Sequence, residues 1–436
     1  MRAVKILFLS LLLGAAVQSC VCAGREDLRR YIRVCWDSTV RETPAADSGH
    51  ILALPGPYTV PCIDGFFDEL YYWDTYFTNE GLALDGRTDL VRSNTLALLS
   101  LAERFGFVPN GNRDWYLTRS QPPYLARMVA KVWSLDADTA FVEKAWCVLE
   151  KEYAFWQQER MTPCGLNRYG ANSPAPAVKE EFITTAGARL GDDFRAKGWS
   201  AQQLDKFAVD CIAECESGWD FNPRFDRRCT DFCPVDLNAN LYGMECLMAR
   251  FAALTGRDER IWQERADRRR TRMQEKMYDP GKDAWYDYDY VRDERSPLIS
   301  AAVFSLLFNG VADRAQTGWV RSALDALECP CGLAVCEKTE GGYPCQWAYP
   351  NAWPPTTFVA VQGLLEYGFR EDALRLARKY ADTALQLFRR TGRLWEKTDA
   401  LTGEIPAESE YGTPAMMGWS AGTFVYFDEL IKKEQQ

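Results

Sequence analysis

The sequence predicts an all-α protein, and two features of the chain lead to that prediction. Apolar residues recur at helical spacing along most of the 436 residues, whereas the alternation typical of strands is scarce. The connecting segments hold Gly, Pro, Asn and Trp, a composition typical of loops that carry function. An α/α toroid, in which paired helices form an inner and an outer ring, fits this pattern, and so does an irregular bundle of helices.

The predicted helices follow one another without an obvious linker. An apolar helical face begins near Leu90 and ends at Gly106. Pro122 and Pro123 are suited to open the next helix, and Asp138 is suited to cap the one after it. Further helices are predicted at about 25–37, 199–214, 236–255, 257–277, 298–312, 315–327, 355–369, 370–390 and 414–432, and residues 284–290 alternate as the arm of a short hairpin would.

The first residues have the features of an export signal. After a positively charged start, the apolar run Ile6–Val17 is too short for a comfortable membrane span. Cleavage at the small-residue segment Val21–Ala23 would remove residues 1–23 and give a soluble periplasmic or secreted protein. The residues just before Cys20 also resemble a lipoprotein box, and lipidation of Cys20 would give an outer-membrane-attached form. The sequence leaves both forms open.

The charge and the histidine content exclude several classes of function. The formal net charge of −10 repels phosphate, so we expect no nucleic-acid partner. No run after the signal reaches transmembrane length, so we expect no integral membrane span. His50 is the only histidine, which argues against Ser-His triads and histidine-bound catalytic metals. Acid–base chemistry must then be carried by carboxylates, Tyr, Lys or Cys.

Cysteine is abundant, because the chain has 15 and removal of Cys20 and Cys22 with the signal leaves 13. An exported protein can form disulfides, but an odd number leaves at least one thiol unpaired. Clustered residues such as Cys211 and Cys215 could instead hold zinc, although their four-residue spacing departs from zinc-knuckle patterns. Local disulfides or buried thiols are the simpler interpretation, and the pairing stays open.

Acidic residues stand beside aromatic residues in four segments of the chain. A sugar site needs rings that stack on the sugar, carboxylates that bind its hydroxyls, and two acids that transfer protons. One such segment alone is more often structural, but four of them in a chain with one histidine favour a glycosidase. The four segments are Phe67–Asp74, Glu216–Phe221, Trp395–Asp399 and Glu408–Gly412.

Nine short motifs stand in a fixed order between about residues 50 and 430. They are Val60–Phe77, Val108–Arg113, Tyr116–Pro123, Leu166–Tyr169, Glu216–Phe221, Pro234–Asn238, Gln346–Pro355, Glu396–Lys397 and Gly418–Gly422. In content and order they resemble the trehalase family, glycoside hydrolase family 37. The resemblance implies an (α/α)6 toroid formed by residues 24–436 as a single catalytic domain.

The resemblance also implies the reaction and the residues that carry it. Asp220 resembles the general acid and Glu396 the general base of an inverting hydrolysis of trehalose to glucose. Trp219 resembles an aromatic wall of the site. We expect a monomer that binds a disaccharide or oligosaccharide and needs no metal or organic cofactor. The positions that resemble substrate-binding residues are Phe67, Tyr71, Trp73, Asp74, Asn110, Arg119, Gln121, Glu180, Gly218, Trp353 and Glu410.

The physical chemistry of the two acids agrees with these roles. An inverting enzyme holds a protonated acid and an ionised base about 6.5–9.5 Å apart, with room for water. Asp220 lies between Trp219 and Phe221, so a dry pocket would raise its pKa as a general acid requires. Lys397 would favour the ionised form of Glu396 if its side chain points inward.

Three positions depart from the family pattern. Phe66 stands where the first signature has arginine, and Ala348 stands where the second has aspartate. No arginine precedes Glu180, where the family has Arg-Pro-Glu, and Lys179 could replace one only as a point charge. Each lost charge-assisted hydrogen bond would cost about 1.5–3 kcal/mol of binding. The catalytic pair is therefore retained, while the shell that recognises the substrate is altered.

Two other functions remain open from the sequence. The first is a trehalase-like glycosidase that acts on a different α-glycoside or oligosaccharide, and the second is a carbohydrate-binding protein without catalysis. Retention of Asp220 and Glu396 argues against the second. The first depends on whether Arg168, Lys179 or another cation replaces the missing arginines in space.

Overall fold

The computed structural model describes residues 24–189, 194–340, 345–406, 411–415 and 418–436. The predicted export signal, Cys20 and Glu410 lie outside these residues. None of the described helices combines the length and the apolar character needed to cross a bilayer. The helices are α1 Arg25–Cys35, α2 Tyr72–Leu84, α3 Thr88–Phe105, α4 Leu125–Asp136, α5 Thr139–Glu159, α6 Pro176–Arg189, α7 Ala201–Ser217, α8 Val235–Leu254, α9 Arg260–Met277, α10 Ser305–Phe308, α11 Trp319–Leu327, α12 Pro354–Glu366, α13 Arg370–Thr391 and α14 Gly418–Gln435.

The strands are two residues long and antiparallel. The strands are β1 Val40–Arg41, β2 Tyr58–Thr59, β3 Phe232–Cys233, β4 Tyr278–Asp279, β5 Ala284–Trp285, β6 Tyr288–Asp289, β7 Glu294–Arg295, β8 Glu328–Cys329, β9 Gly332–Leu333, β10 Asn351–Ala352 and β11 Thr398–Asp399. Within the described residues they form four pairs, β1–β2, β4–β5, β8–β9 and β10–β11, and one three-stranded sheet in the order β3-β6-β7.

Twelve of the described helices form two concentric rings. In the inner ring α2, α4, α8, α10, α12 and α14 pack each against the next, and α14 returns to α2. In the outer ring α3, α5, α9, α11, α13 and α1 cover them, each packed against inner helices or the turn before α10. Helices α6 and α7 stand outside both rings and pack against each other. The predicted (α/α)6 toroid is confirmed.

Burial explains which helices the sequence pattern predicted. Outer helices such as α13 bury one apolar face and expose charged residues, so they show the expected periodicity. In α2 every residue from Tyr72 to Leu82 is buried, so no polar face alternates with the apolar one and the helix was not predicted. The predicted helix over 298–312 is wrong in extent, since a 3-10 turn at Ala301–Phe304 precedes the short α10. The predicted hairpin arm over 284–290 contains β5 and β6.

The inner ring closes where two glycines meet. A side-chain carbon on Gly422 of α14 would overlap the carbonyl oxygen of Phe77 in α2. A side-chain carbon on Gly81 would lie 2.6 Å from the Cα of Gly422. The backbones of the first and last inner helices are therefore in direct contact. Because of this contact, only glycine, which has no side chain, fits at either position.

The inner helices direct their amino ends toward one end of the ring. Trp73 lies in the first turn of α2, and Gln121 lies just before α4. Trp353 directly precedes α12, and Trp419 lies in the first turn of α14. These side chains come from segments far apart in the chain, and the ring brings them to the same cavity.

Candidate active site

A cavity of about 450 Å³ opens at this end of the ring, a size within the range of small-ligand sites. Its walls contain acids, amides and a large number of aromatic rings. The predicted site residues that line it are Phe67, Tyr71, Trp73, Asp74, Asn110, Arg119, Gln121, Gly218, Asp220, Trp353 and Glu396. The ring therefore brings together residues that stand more than 300 positions apart in the sequence.

Two of the predicted residues that the structure describes, Glu180 and Trp219, do not line the cavity. The carboxylate of Glu180 is 54% exposed and pairs with Arg195 at 2.6 Å. Its neighbour Glu181 lines the cavity instead, because successive residues of α6 point in different directions. The structure therefore places Glu180 outside the cavity, one helical position from a residue that lines it. Glu410 lies outside the described residues, so the prediction for it stays a prediction.

The cavity also contains residues that were not predicted. Tyr116, Trp347 and Trp419 lie inside the quoted motifs, so their presence could have been read from the sequence. Others lie where no motif was recognised. The lining residues without a prediction as site residues are Phe66, Tyr116, Glu181, Phe182, Thr185, Arg189, Cys215, Phe221, Trp347, Tyr411 and Trp419.

Asp220 is positioned by the carboxyl end of α7. The helix ends at Gly218, which has a left-handed φ of 75°. A side-chain carbon there would lie 2.7 Å from the ring of Trp73, so the position requires glycine for both its conformation and its space. The carbonyl oxygen of Asp220 accepts a hydrogen bond from the Gln346 amide at 3.2 Å.

Glu216 fixes this end of α7 to the loops around it. The carboxylate is fully buried and accepts hydrogen bonds from the backbone N–H groups of Ser120 and Gly170 at 2.8 and 2.7 Å. The guanidinium of Arg160 donates to both of its oxygens at 2.7 and 2.9 Å. Because all these contacts are internal, Glu216 is a structural carboxylate that holds the segment bearing Asp220.

Three stacked tryptophans connect the segments that carry the two acids. Trp219, next to Asp220, stacks on Trp347 with ring centroids 5.2 Å apart. Trp347 stacks on Trp353 at 3.9 Å with an interplanar angle of 7°. Trp353 directly follows β10, which pairs with β11 two residues after Glu396. The stacked rings therefore link the segment that carries Asp220 to the segment that carries Glu396.

Burial raises the pKa of Asp220 above its usual value. The positive charges of Arg189 and then Arg119 oppose that rise. A raised pKa keeps the carboxyl protonated at higher pH, which is the state that can donate a proton.

Glu396 lies in an environment with two hydrogen-bond donors. Lys397 points inward, and its Nζ donates to Oε2 at 2.6 Å with both side chains buried. The hydroxyl of Tyr411 donates to Oε1 at 2.9 Å. Burial raises the pKa of Glu396, and Lys397 and then Tyr411 oppose the rise by favouring the ionised form.

Asp74 is a third carboxyl in the cavity. Burial raises its pKa to about 8, and the nearby charges of Glu396 and Asp220 add to the rise. At neutral pH the Asp74 carboxyl is therefore mostly protonated. A protonated carboxyl can donate a hydrogen bond to a sugar hydroxyl, and it avoids repulsion with the other two acids.

Arg119 lies among the predicted substrate-binding residues of the cavity wall. The Nε of Arg119 is buried and has no hydrogen-bond partner among the described residues. The guanidinium lies over the rings of Tyr116 and Phe182, at 5.1 and 5.8 Å from their centroids. Tyr71 donates to Glu69 at 2.9 Å and shares a 2.8 Å hydrogen bond with Tyr116. The rings of Tyr116 and Phe182 thus hold the Arg119 guanidinium at the cavity wall.

The positions that depart from the family pattern have different surroundings. Phe66 is 50% exposed at the cavity mouth, while Ala348 is buried and does not line the cavity. Lys179 pairs with Asp205 at 2.6 Å outside the cavity. Arg168 does not line the cavity either. Among the described residues, the two cationic residues that line it are Arg119 and Arg189.

The cysteines and the histidine lie outside this chemistry, apart from Cys215 in the cavity wall. Within the described ranges, no three His, Cys, Asp or Glu side chains are grouped as metal ligands would be. The sulfurs of Cys164 and Cys233 are 3.7 Å apart. His50 is exposed and lies 3.0 Å from Asp114.

Two comparisons of the sequence with known proteins cover most of the chain. A sequence model of the family described as Trehalase matches residues 20–431. The periplasmic trehalase of Pseudomonas aeruginosa is 34% identical over 429 residues, which cover 91% of this chain and 75% of that protein.

Solved structures share the toroid. Neutral trehalase Nth1 from Saccharomyces cerevisiae has a TM-score of 0.74 at 25% identity, over 92% of this chain and 79% of that one. A mannosylglycerate hydrolase from Thermus thermophilus, solved with glucose, has a TM-score of 0.60 at 16% identity, over 85% of this chain and 95% of that one. The second likeness concerns the fold alone.

Proposed function

This chain belongs to the trehalase family, and from that premise we propose that it hydrolyses trehalose to two glucose molecules with inversion. Asp220 is the general acid and Glu396 the general base. The observation that supports these roles is the cavity that both carboxyls line, with Glu396 buried against Lys397 and Tyr411 and with Asp220 near Arg189 and Arg119. The protein is a glycoside hydrolase, and the assignment of the individual residues is our proposal.

The acid step begins with Asp220 protonated. Its proton passes to the glycosidic oxygen while the bond between that oxygen and C1 of the attacked glucose breaks. Burial favours the protonated acid before the step, and Arg189 and Arg119 stabilise the carboxylate that forms. The two arginines therefore stabilise the negative charge that Asp220 carries after it has donated its proton.

The base step uses Glu396 in its ionised form. The carboxylate takes a proton from a water molecule whose oxygen bonds to C1 on the face opposite the leaving sugar. Lys397 and Tyr411 hold the carboxylate through its two oxygens and favour ionisation. After the step Glu396 is protonated and Asp220 ionised, and proton exchange with solvent restores both.

The test is glucose release from trehalose by the purified protein, followed by proton NMR within the first minutes. Inversion at the attacked carbon gives β-glucose, while the leaving glucose keeps its α configuration. We therefore expect α- and β-glucose in equal amounts before mutarotation. Release of α-glucose alone would contradict the inverting assignment, and no release would contradict the proposed substrate.

A second candidate function is hydrolysis of a different α-glycoside. The observation that favours it is Phe66, which replaces an expected arginine and is half exposed at the cavity mouth. An apolar ring there suits a leaving group with an apolar face. Higher kcat/KM for an aryl α-glucoside than for trehalose would support this candidate.

The pH dependence of the reaction should reveal the role of Lys397. In Lys397→Met the cation that opposes the raised pKa of Glu396 is lost, so that pKa rises further. Because the base must be ionised, the acidic limb of the kcat/KM profile should move to higher pH. The control Lys379→Met removes a lysine that pairs with Glu328 outside the cavity, and it should leave the profile unchanged. An unmoved limb in Lys397→Met would contradict the assignment of Glu396.

We also propose that the protein is exported to the periplasm. The similarity to a periplasmic trehalase and the signal-like pattern of residues 1–23 support this location. Lipidation at Cys20, a monomeric state and a single domain over residues 24–436 remain predictions.

A further inference from the structure

Helix α6 contributes to the cavity although it belongs to neither ring. One side of it packs on α7 through a small apolar core that contains Phe182, Ala186 and Phe207. Another side carries Glu181, Thr185 and Arg189, which stand four residues apart and so lie on one helical face. All three line the cavity.

These three residues lie at the mouth of the cavity. Each is exposed, whereas Asp74 and Glu396 are buried and Asp220 is partly buried. A disaccharide that enters a cavity closed at one end places one sugar deep and leaves the other near the opening. The sugar near the opening therefore faces α6.

Arg189 is on the same side of the cavity as the general acid. Its charge acts on Asp220 and on Cys215, which precedes Asp220 by five residues. The charged and hydrogen-bonding groups with the largest effects on Glu396 are Lys397 and Tyr411, and Lys397 also acts on Asp220. Since the general acid faces the glycosidic oxygen, Arg189 lies toward the leaving sugar and away from the attacking water.

We propose that Arg189, with Glu181 and Thr185, binds the leaving sugar and replaces the arginines that the chain lacks at Phe66 and before Glu180. This inference rests on the proposed function. The guanidinium offers several N–H donors to sugar hydroxyls, and the carboxylate of Glu181 accepts from others. The ligand of this subsite is a neutral sugar with free hydroxyls, such as the second glucose of trehalose.

The inference can be tested with two substrates that differ only in the leaving group. Trehalose has a leaving glucose, whereas α-D-glucosyl fluoride has a leaving fluoride with no hydroxyls to bind. In Arg189→Ala we expect kcat/KM for trehalose to fall about 10- to 100-fold, the loss of a charge-assisted hydrogen bond. With the fluoride we expect a change of less than about twofold.

The matched control is Lys179→Ala. Lys179 is a cation on the same helix, but it pairs with Asp205 and does not line the cavity. We expect its kcat/KM to stay at the wild-type value with both substrates. Arg189→Lys, which keeps the charge but loses the planar fork, should lie between wild type and Arg189→Ala with trehalose.

A binding measurement separates recognition from an effect on the acid. In an Asp220→Asn background, where the acid no longer titrates, calorimetry should show that Arg189→Ala weakens trehalose binding about 10- to 100-fold. Unchanged binding, or an equal fall of kcat/KM with both substrates, would overturn the inference. Wild-type protein that cleaves the fluoride but not trehalose would contradict the proposed function itself. An unchanged Arg189 variant of an active trehalase would contradict only the inference.

Discussion

Replacing Asp220 with asparagine should lower kcat for trehalose by about 10²- to 10⁴-fold, the usual contribution of a general acid. Asparagine keeps the size of the side chain but has no proton to donate to the leaving oxygen. Because the hydrogen-bonding shell of the cavity stays intact, trehalose should still bind. The variant should retain far more activity on α-D-glucosyl fluoride, since fluoride leaves without protonation.

Steady-state kinetics of Asp220→Asn, wild type and a control would check this expectation. Glu180→Gln is the control, because it makes the same acid-to-amide change at an exposed residue outside the cavity. It should keep kcat within about twofold of wild type. If Asp220→Asn kept a tenth or more of the wild-type kcat for trehalose, another residue would have to be the acid.

Replacing Gly422 with alanine should give the largest loss of stability among single substitutions in the inner ring. The added carbon would overlap the carbonyl oxygen of Phe77. Its nearest neighbours are main-chain atoms of Phe77 and Thr78, which cannot turn aside as a flexible side chain could. Overpacking of a core usually costs about 1–3 kcal/mol, and a clash between two main chains belongs at the upper end. We expect α2 and α14 to separate and the melting temperature to fall by several degrees.

Thermal unfolding of Gly422→Ala and Gly56→Ala would measure this effect. A carbon added to Gly56 would meet the hydroxyl of Ser93 at 3.4 Å, an ordinary contact, so that variant should melt close to wild type. Equal melting temperatures for both variants would mean that the contact between α2 and α14 can relax without loss.

Part of the fold could be predicted from local sequence pattern. Outer helices such as α13 show a clear apolar face, because water covers their other side. The inner helix α2 has no such contrast, and the periodicity that marks surface helices fails there. Closure of the ring between α2 and α14 depends on a contact across more than 300 residues, and only the family resemblance predicted it.

The candidate site, like the fold, could be predicted from the sequence only in part. The resemblance predicted Asp220 and Glu396 as the catalytic pair, although their separation of 176 positions in the sequence carries no information about their distance in space. The direction of Lys397 could not be predicted, because neither inward nor outward placement leaves a mark in the sequence. Arg189 was missed because the residues around α6 depart from the family pattern, and the two successive four-residue steps from Glu181 through Thr185 were the remaining signal.

Closure of the ring by α14 has a consequence for the order in which the protein matures. Ribosomes make a chain from its amino end, so α14 and the segment with Glu396 emerge after the other ring helices. Until then α2 lacks its partner, and the cavity lacks Glu396, Tyr411 and the wall formed by Trp419. A nascent chain therefore exposes an apolar seam that chaperones can recognise, and it has no hydrolytic activity before these segments have been made.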